Sequence, residues 1–269
     1  LMMFDVVFKG SIKPKWYGSV GIVESFVRYN CMRHGFPVPV IALPFWEGAG
    51  NKVYDVSGKM NHGTLAGTPK WVGGRDGTAI SFNGTCDYIN SCNILANTQY
   101  LTVVFTTKPT TLTTLDVLVA NYDGTNGFEI QSGTTATNIF FGMTNAAYAQ
   151  KTLALSNEVY VNIAMVFDGT QSSNAAKMKG YLNGIQQTLT FDGTIPSSTG
   201  LSTKPVIFGR QYDATRYYNG IINTPLIFNN VLSSDQVKFL SDNPYFILQM
   251  PEELWEYNIY RSSKGYTIG

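Results

Sequence analysis

Between Val38 and Asn229 the chain consists almost entirely of short runs rich in Val, Ile, Phe, Tyr and Thr, separated by turn residues. Clear runs are VPVIALPF, TAISFNG, YLTVVFTT, LDVLVANY, GFEIQSG, NIFFGM, EVYVNIAMVFDG, KMKGYLNG, IQQTLTFDG, KPVIFGR and YYNGIINTPLIFN. Branched and aromatic side chains suit a pleated, half-buried surface, and closely spaced short strands with regular turns predict a two-sheet sandwich. The turns repeat one chemistry: Asp76-Gly77, Asn83-Gly84, Asp123-Gly124, Asp168-Gly169 and Asp192-Gly193 are each followed by Thr. An Asx-Gly pair supplies the positive φ that hairpin turns need. The spacing of these turns is unequal, so they do not mark a sequence repeat.

The flanks read differently. Residues 1–37 lack alternation, end in a Pro-containing stretch, and are predicted to form an N-terminal arm with one helix around Val20–Arg28. The sandwich is expected over 38–243. A second helix is predicted over Ser234–Ser241, capped by Ser233 and stopped by Asn243-Pro244. The aromatic tail, 244–269, is expected to pack on the sandwich or on a neighbouring subunit, because a free segment this apolar would be unusual.

Composition narrows the function classes. The net charge is +1, and the one basic run (Lys9, Lys13, Lys15) is too short for a nucleic-acid track. No stretch approaches a membrane span, and the opening LMMFDVVFKG interrupts its short apolar run with Asp5, unlike a secretory leader. Cys31, Cys86 and Cys92 make an odd set. Cys86 and Cys92 are the one candidate pair, with buried free thiols as the alternative. No Cys/His spacing fits a zinc site.

From Ile41 onward specific residues line up. Phe45, Glu47, Gly48, Asp55, Ser57, Gly58, Asn61, Gly63, Thr64, Trp71, Phe82, Asn83, Gly84 and Tyr88 follow one another as in the opening of laminin-G-like, concanavalin A-like jelly rolls, which this chain resembles. The resemblance continues through VYVNIAMVFDGT, GYLNG, FGR and YYNGIINTPLIFNNVLSSDQV. It implies an all-β, two-sheet antiparallel jelly-roll sandwich with one short C-terminal helix. Asn-Pro-Tyr-Phe after that helix is also similar to laminin-G-like proteins of bacteriophages.

The resemblance implies two kinds of site. In some relatives the loop matching Asp55–Asn61 holds Ca²⁺, completed by an Asp near the final strand. Here the matching position is Asn223, so Asp55, Asn61 and Asn223 are the candidate Ca²⁺ ligands, and a purely structural turn is the alternative. Sugars stack on aromatic rings beside amides and carboxylates. Tyr122, Asp123, Asn126, Tyr212, Asp213 and Arg216, with Tyr217, offer that chemistry in or near loops. The competing reading is that such tyrosines alternate into the core.

Catalysis is not expected. The Glu-x-Asp-x-x-Glu pattern of the family's endoglucanases is absent, and Asp116, Glu129 and Glu158 sit alone in sequence. A retaining glycosidase needs two carboxyls about 5 Å apart. His34 and His62 have no nucleophile motif beside them. The sandwich flanked by an arm and an aromatic tail, together with the resemblance to bacteriophage proteins, implies as the expected function a non-enzymatic structural or decorating protein of a bacteriophage particle, carrying a lectin-like domain that binds surface glycans. Its expected partners are other virion proteins, further copies of itself and glycans, on the virion surface. The alternative is a secreted or cell-surface carbohydrate-binding lectin domain.

Overall fold

A computed structural model of the chain describes residues 2–5, 15–18, 20–133, 138–143, 148–152 and 155–249. Lys9, Lys13 and most of the aromatic tail lie outside the described residues. The flank begins with a hairpin, β1 (Met2–Asp5) and β2 (Lys15–Gly18), then α1 (Val20–Arg33). Next come β3 (Ile41–Ala42), β4 (Lys52–Val53), β5 (Gly63–Ala66), β6 (Lys70–Gly74), β7 (Gly77–Asn83) and β8 (Tyr88–Asn90). The centre holds β9 (Tyr100–Pro109), β10 (Val117–Ala120), β11 (Phe128–Ser132), β12 (Asn138–Met143), β13 (Tyr148–Thr152) and β14 (Val161–Asp168). After α2 (Asn174–Lys177) follow β15 (Met178–Leu182), β16 (Ile185–Gln187), β17 (Thr190–Asp192), β18 (Ile207–Phe208), β19 (Asn219–Phe228) and α3 (Ser234–Asp242).

Two antiparallel sheets form the sandwich. The nine-stranded sheet runs β17-β13-β12-β11-β10-β18-β8-β5-β4. The eight-stranded sheet runs β16-β15-β14-β9-β19-β7-β6, with β3 on β19. Alternation sorts each strand between core and outer face. On β14, Val161, Ile163, Met165 and Phe167 enter the core between the sheets, while Ala164 and Val166 face the other way. β9 matches it, with Leu101, Val103 and Phe105 inward and Val104 outward. Each large apolar side chain buried here stabilises the fold by about 1.5–3 kcal/mol relative to exposure.

The outer face of the eight-stranded sheet has a second apolar layer. Val104, Val166, Tyr181, Leu226 and Phe228 are covered by Val27 and Cys31 of α1, Phe36, Val237 and Leu240 of α3, and Phe246 and Ile247. The helix expected at Val20–Arg28 therefore extends to Arg33, because its second half carries the buried Cys31. The Asn30 side chain donates to the carbonyls of Ile247 (3.2 Å) and Gln249 (2.7 Å), tying α1 to the start of the C-terminal segment. Burial pushes the Cys31 thiol up to about 12. All three cysteines are free thiols.

Two local features depart from a plain reading of the strands. IQQTLTFDG, one run in sequence, crosses between the sheets: β16 closes one edge and β17 the other. β19 keeps register with β9 up to Asn223 and resumes at Leu226. Pro225 has no N–H for the ladder and Thr224 has φ 46°, so the strand bulges there. α3 begins in a capping box: the Ser233 hydroxyl accepts from the Gln236 N–H, and the Gln236 side chain accepts from the Ser233 N–H.

Candidate functional site

The outer face of the nine-stranded sheet is built differently. Among the described residues no helix packs on it. β11 sends Phe128 and Ile130 inward, leaving Glu129 and Gln131 outward. β12 sends Ile139, Phe141 and Met143 inward, leaving Phe140 and Gly142 outward. Register then makes rows. Glu129 lies opposite Gly142, Gly142 opposite Tyr148, and Tyr148 opposite Asp192. In the next row Gln131 lies opposite Phe140.

The chemistry of these rows is mixed. Phe140 and Tyr148 stack with ring centroids 4.9 Å apart and planes 16° from parallel. The Tyr148 hydroxyl donates to Asp192 Oδ2 at 2.7 Å. Glu129 accepts from Gln211 Nε2 at 3.1 Å. Burial pushes the Glu129 carboxyl up, opposed by the Gln211 hydrogen bond and the charge of Arg216 and assisted by Asp213. Gln131 is only 6% exposed, and its Oε1 has no partner. A Cβ at Gly142 would come within 3.0 Å of Glu129 Cγ, so glycine at this position lets the Glu129 side chain lie across β12.

The loop residues singled out from sequence pack beside these rows, and mostly on one another. Tyr122 and Tyr212 meet edge to face at 5.7 Å, over Val117 and Ala120 of β10. Tyr122 is buried, which together with Glu129, Tyr212 and Asp123 pushes its hydroxyl up to about 12. Asp123 accepts from the N–H groups of Thr125, Asn126 and Thr203. Although desolvation opposes ionisation, those N–H groups and Lys204 hold its carboxyl below the usual range. Asp213 accepts from the Thr215 N–H and hydroxyl. Arg216, with φ 56°, gives its carbonyl to the Val117 N–H at 3.1 Å, and Tyr217 bridges Val117. Tyr218 enters the core, its hydroxyl 2.6 Å from Thr107 Oγ1. Asp123 and Asp213 thus cap turns, and the Tyr122–Tyr212 pair forms a small apolar knot beside Glu129.

The model of the concanavalin A-like lectin/glucanases superfamily matches residues 83–238, more than half of the 269-residue chain. The chain belongs to this superfamily. Solved structures share its fold. Domain 4 of AbnA, an extracellular GH43 arabinanase from Geobacillus stearothermophilus solved with arabinotriose, is 19% identical with a TM-score of 0.61, covering 76% of this chain and 98% of that one. The receptor-binding domain of a botulinum neurotoxin C/D mosaic serotype is 16% identical at TM-score 0.59, covering 77% and 51%. The binding domain of Paraclostridial Mosquitocidal Protein 1 is 17% identical at 0.57, covering 77% and 52%. The chain thus spans about half the length of the two toxin domains. No curated protein matches the chain in sequence.

The Ca²⁺ ligands that the resemblance implies can be tested on this superfamily member's own geometry. Asp55 is fully buried, and its Oδ1 accepts from the Ala42 N–H (2.8 Å) and Ser57 N–H (3.0 Å). Its Oδ2 accepts from the Ser57 hydroxyl (2.7 Å) and Asn61 N–H (2.9 Å). Asn61 turns its amide nitrogen to the Val40 carbonyl at 2.8 Å. Asn223 donates to the Thr78 carbonyl and the Tyr245 hydroxyl, sharing no hydrogen bond with the other two. A cation needs free oxygens converging on one point. These residues do not fit one: Asp55 already serves four donors, and the loop is a turn that ties Asp55 to β3.

Sequence reasoning passed over Phe140, Tyr148, Gln131 and Gly142 and set Glu129 aside as an isolated acid. A signal for them exists in the superfamily chain. In NIFFGM the adjacent Phe140 and Phe141 must point to opposite faces of the sheet. One aromatic side chain therefore lands on a face whose other strands place Glu and Gln there. Glu129 and Gln211, 82 residues apart, become neighbours only through the pairing of β10, β11 and β18.

Proposed function

We propose that this chain is a non-enzymatic carbohydrate-binding module whose ligand lies on the outer face of the nine-stranded sheet, over Phe140, Tyr148, Gly142, Glu129 and Gln131. The supporting observation is the conjunction on that face: a stacked aromatic pair beside a carboxylate that lies across a glycine, and an amide whose oxygen has no partner. Aromatic rings take the C–H faces of a sugar, and the Glu129 carboxylate takes its hydroxyl protons. Glu129 accepts from Gln211, Asp192 at the far end of its row accepts from the Tyr148 hydroxyl, and Asp213 caps its own turn through Thr215, so each acid near the face is engaged rather than paired for glycoside hydrolysis. Domain 4 of the arabinanase, solved with arabinotriose, makes pentose and hexose oligomers the first ligands to try.

The larger setting in this proposal is the surface of a virus particle, with an extracellular lectin as the second reading. The asymmetry of the sandwich favours the first. α1, α3 and the segment around Phe246 seal one outer face and bring both flanks of the chain to that side. Among the described residues no helix covers the opposite face, which in this proposal takes the ligand. Such a layout suits attachment through the flanks to virion proteins or to further copies of the chain. A glycan array of the wild type beside Tyr148→Ala tests the binding reading. Glycan-specific signal lost in the variant is expected, and no signal from the wild type sinks it. Mass spectrometry of purified particles tests the setting, and absence of the protein from them removes it.

A further inference from the structure

The same outer face carries a second chemistry two strands away from Glu129. Ile89 of β8 lies in the core, so Tyr88 and Asn90 on either side of it face outward. On β18, Phe208 also enters the core. Gly209 then takes φ +91°, with its α-carbon so close to the core that a Cβ would lie 2.6 Å from Phe82 Cδ1. That turn breaks the alternation and swings Arg210 over Tyr88, its guanidinium 3.7 Å from the ring centroid.

Among the described residues the cation has no ion-pair partner. Its Nε is buried with no hydrogen-bond partner. Asp87, the acid beside Tyr88 in sequence, directs its carboxylate to the N–H groups of Thr68 and Asn83 instead. Asn90, two residues along the same face, also keeps a buried Oδ1 without a partner. Leaving a buried donor of a charged group unpaired costs more than an ordinary lost hydrogen bond. A guanidinium held flat on a ring still presents its edge, a fork that matches a carboxylate.

We infer that Arg210, oriented by Tyr88, is an anion subsite whose guanidinium edge takes the carboxylate of an acidic sugar. A uronic sugar supplies that carboxylate. The subsite goes beyond the sugar-binding face around Tyr148 and shares no residue with it, so each stands or falls alone.

The test is an NMR titration of the full chain that follows the arginine Nε–Hε signals and the amides of Tyr88–Asn90. The probes are sodium glucuronate, sodium acetate and glucose at constant ionic strength. The Arg210 Nε–Hε signal is expected to move saturably with glucuronate, to respond more weakly to acetate, and to stay put with glucose. In Arg210→Gln the glucuronate affinity falls by about tenfold or more, the loss expected for a charge-assisted pair. Arg210→Lys keeps the charge but loses the fork, so it falls in between and serves if the Gln variant fails to fold. An Nε–Hε signal unmoved by either carboxylate overturns the inference. So does a folded Gln or Lys variant that binds glucuronate as the wild type does.

Discussion

The outer faces of the two sheets start from the same strand alternation and end in opposite states. On the eight-stranded sheet, outward positions carry Val104, Val166, Leu226 and Phe228, and two helices and Phe246 close over them. On the nine-stranded sheet, outward positions carry Glu129, Gln131, Tyr148 and Asp192, with Phe140 standing against Tyr148. The first set is mostly apolar and gains by being covered, and the buried polar pair on the same face, Asn162 and Thr106, is joined by its own hydrogen bond. The second mixes rings with polar atoms, some lacking partners, and a permanent apolar cover would strand them. One face therefore completes the fold; the other, uncovered by any helix among the described residues, is the face proposed above to meet a ligand.

Substitutions separate the faces by magnitude. Phe228→Ala, in the covered layer, is expected to cost about 3–5 kcal/mol in denaturant unfolding. Tyr148→Ala, on the open face, is expected to cost about 1 kcal/mol or less. Equal losses would erase the contrast. Asp55→Ala removes the acceptor of four hydrogen bonds in the turn that holds β3 and is expected to cost about 2–4 kcal/mol. Calcium or a chelator is expected to leave the melting temperature of the wild type unchanged, and a calcium-dependent rise would revive a cation site there. Ser233→Ala removes the cap of α3 and should cost about 1 kcal/mol, visible as earlier hydrogen exchange in that helix.

The smallest effect concerns pH. Burial raises the Glu129 carboxyl above its unfolded value, so at a pH between the unfolded and folded values the folded chain holds a proton that the unfolded chain releases. Stability from this group is intact below the ordinary glutamate value, about 4.3, and is lost as pH rises through the folded value. Glu129→Gln should therefore melt slightly higher than the wild type at neutral pH and equally at acid pH. A variant that is less stable at neutral pH would show that the charged form is favoured by its surroundings.

Much of the sandwich was legible because each sheet strand writes its buried face in every second residue. VNIAMVFD and YLTVVFTT show this, and the Asx-Gly turns mark where hairpins reverse. The capped helix after Ser233 was legible for the same local reason. The crossing inside IQQTLTFDG was not, since three residues of edge strand carry too little pattern to show which sheet they join. The sites were harder still. Tyr122 and Tyr212 offered sugar-binding chemistry by type, yet their rings meet each other, a contact between positions 90 residues apart. Asp55 looked like a cation ligand, yet its oxygens were already taken by three nearby N–H groups and the Ser57 hydroxyl. Glu129 looked solitary until strand pairing brought Gly142, Tyr148 and Gln211 beside it.

The most direct test of the contrast between the faces is to map bound sugar onto them. Backbone NMR shifts would be recorded on the full chain with the strongest ligand from the glycan array. The account predicts shifts concentrated in Phe128–Ser132, Asn138–Met143 and Tyr148–Thr152, with α1 and α3 silent. Shifts confined to the Asp55–Asn61 turn, or to the helix-covered face, would contradict it.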